Sequence, residues 1–376
     1  MLFRSGGSFQ TVVGEINDLY DQFGYGIKKH PKSVRNFMKM LIDTFNTQPK
    51  YLFLIGKSGY GINGFWNPAA YEANLVPSWG YPPSDNLILA GLNGTFLEPV
   101  VPTGRIAVTK PVEVLDYLDK VHEHDTTQLA KWEKNVAHFV GGLYQNEIDL
   151  FNYYMTNYAG IISGQYFGAN VNTFIKTTSS PIQTSVPDSV INLINNGVNL
   201  MTFYGHSSNQ SFDFNLNDPT KFENKGKYPL LLSNSCYTGD IHQIDTFSLS
   251  ERYVLTKDKG AIAFIGSTKT GIAQLLAIYS ENFYQQLTSA SYGQGIGDIS
   301  KSAIANTQYV MQYPDFVEQI TCMEMTLHGD PAVKLNRHTK PDYAIRNEDL
   351  ICKTDIYPDS IGINLNIYNQ IGRAHV

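Results

Sequence analysis

One cysteine and one histidine stand where two apolar runs give out. Met201-Thr202-Phe203-Tyr204-Gly205-His206-Ser207 closes the first run, and Leu230-Leu231-Leu232-Ser233-Asn234-Ser235-Cys236-Tyr237-Thr238-Gly239-Asp240 closes the second. Each run has strand length and stops in small or polar residues. In a parallel sheet the carboxyl ends of neighbouring strands share one crevice, where ligands and catalysis usually sit. Thirty residues separate His206 from Cys236, enough for one irregular crossover. The pair therefore reads as a cysteine–histidine dyad. A thiol titrates near pH 8.5, so only a few per cent is thiolate at neutral pH. A histidine within about 3–4 Å stabilises the thiolate as an ion pair and then protonates a departing amine. The backbone N–H groups of Gly205, Ser207 and Cys236 are the candidate oxyanion donors, worth roughly 3 kcal/mol each. Gly239 is expected to make a tight turn that leaves Tyr237 and Thr238 beside a substrate channel. A buried structural thiol and an ordinary surface histidine are the alternative, which the shared placement at strand ends disfavours.

The elements that must hold these residues alternate in helix and strand. Val34, Phe37, Met38, Leu41, Ile42 and Phe45 recur at helical spacing after Pro31, a residue suited to a first turn. Tyr51–Ile55, Arg105–Val108, Asn135–Val140, Asn199–Tyr204, Leu230–Ser233 and Ala261–Gly266 read as buried strands, and Val171–Ile175 as a weak edge strand. Helices are expected over Pro111–His122, with Thr109 as its cap, and over Asn146–Tyr158, Pro187–Asn196, Phe247–Lys257, Ala273–Leu287, Ile299–Val310 and Phe316–Met325. Gly197 is expected as a left-handed helix end. A short strand is expected at Thr11–Ile16, and Ser58–Gly104, rich in Gly, Pro and Asn, as long ordered loops. This rhythm predicts an α/β three-layer sandwich with a mostly parallel central sheet.

The last thirty residues change character. Leu350-Ile351-Cys352 and the alternating Ile363, Leu365 and Ile367 flank a turn at Pro358. Two strands cannot bury a face alone, so residues 341–376 read as the opening of an all-β module or as a β-tail on the main domain. The main domain spans 1–340, with a possible division into α/β subdomains 1–125 and 126–340.

Composition narrows the function classes. The chain has 376 residues, of which 16% are charged, well below the roughly 25% of ordinary domains. A net charge of −6 with no Lys/Arg run argues against nucleic acid, which needs a basic footprint. No apolar stretch approaches the ~18 residues of a transmembrane helix, and Met1–Gly7 lacks a signal peptide's apolar region. Cys236, Cys322 and Cys352 are too few and too scattered for a disulfide framework; free thiols at Cys322 and Cys352 are expected over a bridge.

The order of motifs resembles the gingipain-type cysteine peptidases of the caspase-like clan. Tyr204-Gly205-His206 and Asn234-Ser235-Cys236-Tyr237-Thr238-Gly239-Asp240 are similar to that family's histidine and cysteine segments. Pro83-Ser84-Asp85-Asn86 with Gly91-Leu92-Asn93-Gly94, then Pro102-Thr103-Gly104-Arg105-Ile106-Ala107-Val108, resembles its loop-and-strand entry. His328-Gly329-Asp330-Pro331-Ala332-Val333-Lys334-Leu335 resembles the segment that closes its catalytic domain, before an immunoglobulin-like module. The resemblance covers roughly residues 15–340. It implies a cysteine endopeptidase with Cys236 as nucleophile, a thioester intermediate and His206 as base then acid. It further implies a protein or peptide substrate and an exported protein, extracellular or on a bacterial outer-membrane surface. One branch processes C-terminal sorting signals in type IX secretion, as peptidase or as sortase, alongside other secretion components.

Two departures bear on this. Ser207 follows the histidine where the family often has glycine. The family also carries an acid beside a Gly-Gly pair to orient the histidine, whereas this chain reads Phe139-Val140-Gly141-Gly142. Glu147, Asp149 and Asp85 are the candidates for that orienting role or for a specificity acid that would select Arg or Lys. A family member with weak or no activity, serving as a secretion scaffold, and a binding module of a larger surface protein are the rival readings. No cofactor is required. Asp85, Asp240 and Asp330 could offer oxygens to a structural Ca²⁺, although the twelve-residue calcium loop is missing. Gly56-Lys57-Ser58-Gly59 lacks the glycine-rich arc of a phosphate loop, and His122 and His124, two apart, do not share a helix face.

Overall fold

Leu200–Tyr204 and Leu230–Asn234 are buried at every position, the pattern of strands covered on both faces. They lie at the heart of an eight-stranded sheet. The computed structural model describes residues 9–60, 66–164, 166–178, 180–183, 187–310 and 316–337, with the strand segments 343–344, 350–357, 360–365 and 368–369 beyond them. The strands of the main sheet are β1 (Leu52–Ile55), β2 (Thr103–Ile106), β3 (Asn135–Val140), β4 (Asn170–Ile175), β5 (Leu200–Tyr204), β6 (Leu230–Asn234), β7 (Ala263–Ser267) and β8 (Met325–His328), in the order β1-β2-β8-β7-β6-β5-β3-β4. The helices are α1 (Ile16–Phe23), α2 (Lys32–Thr44), α3 (Pro111–Thr126), α4 (Gln145–Ile162), α5 (Asp188–Asn196), α6 (Leu249–Leu255), α7 (Ala273–Thr288), α8 (Ile296–Val310) and α9 (Phe316–Glu324), with short helical turns at Pro68–Ala73 and Asn86–Leu89. The expected caspase-like α/β sandwich is thus present, with β4 at the sheet's edge.

The sheet has one reversal. β7 and β8 pair antiparallel and the other neighbours pair parallel. Two parallel blocks, β1-β2-β8 and β7-β6-β5-β3-β4, therefore run in opposite directions. β8 was not legible as a strand, because it follows α9 without a loop and four residues are too few to show a period. Gly104 and Gly329 permit this joint. A Cβ on Gly104 would lie 2.4 Å from the Gly329 carbonyl oxygen, and Gly329 itself has φ +143°.

Three further expectations are corrected. Thr11–Ile16 is not a strand: Ile16, Leu19, Tyr20 and Phe23 have helical spacing, and α1 buries Leu19 and Tyr20. Gly197 has φ +112° and ψ 130°, outside the left-handed helical region, and its bare Cα faces the Trp132 ring. Thr109 is not the cap of α3; Glu113 reaches back to the Thr109 and Lys110 N–H groups at 2.7 and 3.1 Å.

The long segment before β2 is ordered by a buried charge. The Arg105 guanidinium donates to both carboxylate oxygens of Asp85 at 2.7 Å and to the Gly56 and Val76 carbonyls at 2.7 and 2.8 Å. A planar fork pins several backbone groups at once. Lys57 is likewise internal, 2.5 Å from Glu251, so the Gly56–Gly59 stretch is a packing element. A main apolar core lies against β2–β8, and a smaller one joins α1, α2 and β1 through Leu19, Val34, Met38, Ile42 and Leu54.

Beyond the sheet, β9 (Tyr343–Ala344), β10 (Leu350–Tyr357), β11 (Ser360–Leu365) and β12 (Tyr368–Asn369) form two antiparallel pairs, β10 with β11 and β12 with β9. The expected β-rich terminal region is therefore present. Cys322 is a free, buried thiol, and the side chain of Cys352 lies outside the described residues.

Candidate active site

The register of β5 on β6 sets the site. Tyr204 pairs with Asn234 as the last partners of the two strands, so His206 and Cys236 each stand two residues past the same rung. Gly205 N–H donates to the Asn234 carbonyl at 3.3 Å, continuing the ladder by one step. That bond consumes the Gly205 donor and removes it from the expected oxyanion set. Among the described residues no carbonyl takes the amide hydrogens of Ser207 or Cys236, so those two remain available.

Past His206 the chain reverses in a narrow hairpin. Ser208 N–H donates to the Ser211 carbonyl at 2.8 Å and Asp213 N–H to the His206 carbonyl at 2.9 Å. The imidazole Nε2 lies 3.2 Å from Glu147 Oε2. Glu147 also closes the capping box of α4, accepting from Leu143 and Tyr144 N–H at 2.9 and 3.3 Å. Burial pushes its carboxyl up, but the Leu143 N–H and the imidazole outweigh that and hold it below the usual range. Phe151, one turn further along α4, meets the imidazole edge-on at 6.3 Å. Of the three candidate carboxylates, the structure brings Glu147 to His206. Asp149 is exposed and faces Gln145 at 2.8 Å, and Asp85 is committed to Arg105.

The loop that carries Cys236 is tied to the segment that follows β7. Tyr237 adopts φ +60°, a left-handed conformation that is uncommon for an aromatic residue. It turns its N–H to the Lys269 carbonyl at 2.7 Å. The strained residue is therefore Tyr237, and Gly239 serves close packing: a Cβ there would sit 2.6 Å from the Gly266 carbonyl oxygen. The Cys236 thiol points to the Gly271 carbonyl at 3.7 Å. Burial pushes its pKa up, with Glu324 adding to the rise and the Gly271 contact opposing it. Ser207 Oγ donates to the Cys236 carbonyl at 2.5 Å, which joins the two loops directly. The serine in the family's glycine position thus has a structural task.

Asp213 was not anticipated from sequence. Its carboxylate fills the space between the ends of β3 and β5, accepting from Gly142 N–H at 2.7 Å with Lys176 Nζ at 3.6 Å. A Cβ on Gly141 or Gly205 would approach its Oδ1 to 2.0 or 2.8 Å. The Gly141-Gly142 pair and Gly205 were the only signal of a group in that space. Burial holds the Asp213 carboxyl above its usual range, against the pull of Gly142 and Lys176. Glu324 is a second unanticipated acid. It accepts from Ser267 Oγ at 2.6 Å, and burial raises its pKa to about 7.

Among the described residues no cluster of His, Cys, Asp or Glu gathers the three aspartates considered. Asp85 holds Arg105; Asp240 takes bonds from Tyr60 and Gln243, both at 2.9 Å; and Asp330 accepts from Ala332 N–H at 2.8 Å. His124 is buried against the Lys334 carbonyl at 3.1 Å, while His122 is exposed.

The strand order and the flanking helices are those of a caspase-like α/β sandwich. A profile of peptidase family C25 matches residues 1–336, and the chain belongs to that family. The complex of the pro- and mature domains of RgpB from Porphyromonas gingivalis superposes with a TM-score of 0.71 at 15% identity, over 90% of this chain and 77% of that one. The Arg-specific cysteine proteinase gingipain R gives 0.66 at 14% identity, over 93% and 80%. A third structure, described simply as a protease, gives 0.65 at 15% identity, over 90% and 82%. At these identities the likeness concerns the fold. No curated protein sequence matches the chain. Among the described residues no helix is long and apolar enough to cross a membrane.

Proposed function

We propose that the chain is a cysteine endopeptidase with Cys236 as nucleophile and His206 as general base, then acid. The observation that carries this is the register Tyr204↔Asn234, which sets the two residues at equal offsets past adjacent strands. With Nε2 turned to Glu147, Nδ1 is the nitrogen left for proton transfer. It would take the thiol proton as sulfur attacks the scissile carbonyl, and return it to the departing amine as the tetrahedral adduct collapses to a thioester. Water, activated by the same nitrogen, would then release the acid and restore the thiol. The Ser207 and Cys236 amides would receive the oxyanion. Burial, which pushes the Cys236 thiol up, favours a mechanism in which His206 takes the proton as sulfur attacks.

The substrate in this reading is a protein or peptide. Processing of C-terminal sorting signals by an exported enzyme, at the cell surface or beyond, rests on the family resemblance alone. Replacing Cys236 with Ala is expected to abolish cleavage of a peptide library while the melting temperature holds within a few degrees. Cleavage by pure C236A protein would overturn the assignment.

A further inference from the structure

Lys269 lies on the loop that follows β7 and walls the nucleophile. Its carbonyl accepts from Tyr237 N–H at 2.7 Å, its own N–H donates to Ser267 Oγ at 3.2 Å, and two residues on, the Gly271 carbonyl faces the Cys236 sulfur. The backbone of Lys269 is thus fixed to the catalytic loop. Its ammonium lies 4.5 Å from the centre of the Tyr60 ring, 5.8 Å from Tyr237 and 5.9 Å from Tyr81. Rings at such distances attract a cation through their quadrupoles, so three side chains hold one charge in place.

Among the described residues no carboxylate forms an ion pair with Lys269, and no oxygen accepts a hydrogen bond from its Nζ. The other cations around the strand ends are matched: Lys57 by Glu251 at 2.5 Å, Arg105 by Asp85 at 2.7 Å and Lys176 by Asp213 at 3.6 Å. Glu324 lies on the same side without forming an ion pair: its carboxyl accepts from Ser267 Oγ at 2.6 Å, and burial raises it to about 7 against the opposing pull of Ser267 and Lys269. Tyr237 OH accepts from Thr270 Oγ1 at 3.1 Å and keeps its own hydrogen free to donate. A half-buried, immobilised ammonium with a phenol donor beside it suits an anionic group.

The strand order also fixes which half of a substrate would bring that group. β7, β6 and β5 are consecutive, so Lys269 and His206 flank Cys236 on opposite sides. The departing amine must lie toward the histidine that protonates it, and the acyl half toward Lys269. We propose that Lys269, framed by Tyr60, Tyr81 and Tyr237, is a subsite for a substrate carboxylate, and that the enzyme favours Asp or Glu close to the scissile bond on its acyl side. This inference rests on the peptidase reading above.

The test uses matched peptides that differ only by Asp against Asn, or Glu against Gln, at each position flanking the cleaved bond. For the wild type, kcat/KM is expected to favour the acid over its amide by roughly tenfold at one acyl-side position. In Lys269→Met that ratio should fall to about one, in Lys269→Arg it should persist, and in Lys269→Glu it should invert. Cleavage with no acyl-side acid preference, with the preference on the leaving-group side, or with an unchanged ratio in Lys269→Met would overturn the subsite and leave the peptidase reading standing. A wild type that cleaves none of the peptides would overturn both.

Discussion

Glu147 carries two tasks that a substitution can separate. It caps the first turn of α4 through two backbone N–H groups and it faces the His206 imidazole. Glutamine keeps an oxygen for capping but loses the charge that would stabilise an imidazolium. Glu147→Gln is therefore expected to lower kcat by roughly ten- to a hundredfold with little change in melting temperature, short of the ~10⁴-fold loss known for the serine triad. Glu147→Ala should lose about 1 kcal/mol of stability as well. Paired kinetics and thermal melts of the two variants check this; equal kcat in wild type and Glu147→Gln would remove the carboxylate from the mechanism. His206, Cys236 and the three candidate acids could be named from sequence because they follow apolar runs or family motifs. Which acid faces the imidazole could not, because that depends on how α4 lies against the end of β5.

Sequence periodicity located most helices and strands, since burial on one face or two imposes a period that survives without coordinates. It failed where tertiary contact sets the conformation. β8 is too short to show alternation, and the left-handed backbone of Tyr237 is held by the Lys269 carbonyl rather than by its own preference. The glycines at the ends of β3 and β5 show the same limit. They were visible, but the carboxylate that requires them, Asp213, was not. Gly141→Ala would force a Cβ to within 2.0 Å of Asp213 Oδ1. Overpacking of this kind costs about 1–3 kcal/mol, and here the displaced group also supports the His206 hairpin. Chemical denaturation should show that loss together with a fall in kcat. A variant with wild-type stability would mean that the end of β3 yields more readily than its packing suggests.

Across the molecule, buried ion pairs hold long segments to the sheet. Asp85 and Arg105 join the loops before β2 to its interior, and removing one partner of such a pair typically costs about 3–5 kcal/mol. Burial pushes the Asp85 carboxyl up, but Arg105 and Ser78 outweigh it and hold it below the usual range. The sign for stability follows. The contribution is complete above the unfolded-state value of about 3.9 and is lost as pH falls through the lower folded value. Asp85→Asn should thus be markedly less stable than wild type at pH 7, and the gap should narrow as pH falls below about 4. Denaturant midpoints across that range read this out, and a gap independent of pH would contradict the assignment of charge to the pair.

The central claim is that the thiol of Cys236 and the imidazole of His206 act as one unit. Its most direct measurement is mass spectrometry of the intact protein after treatment with a peptidyl electrophile. The account predicts one adduct per chain, located on Cys236 with Cys322 untouched, and a labelling rate that falls sharply in His206→Ala. A folded wild type that takes no adduct at Cys236, or one whose labelling rate ignores the loss of His206, would contradict it.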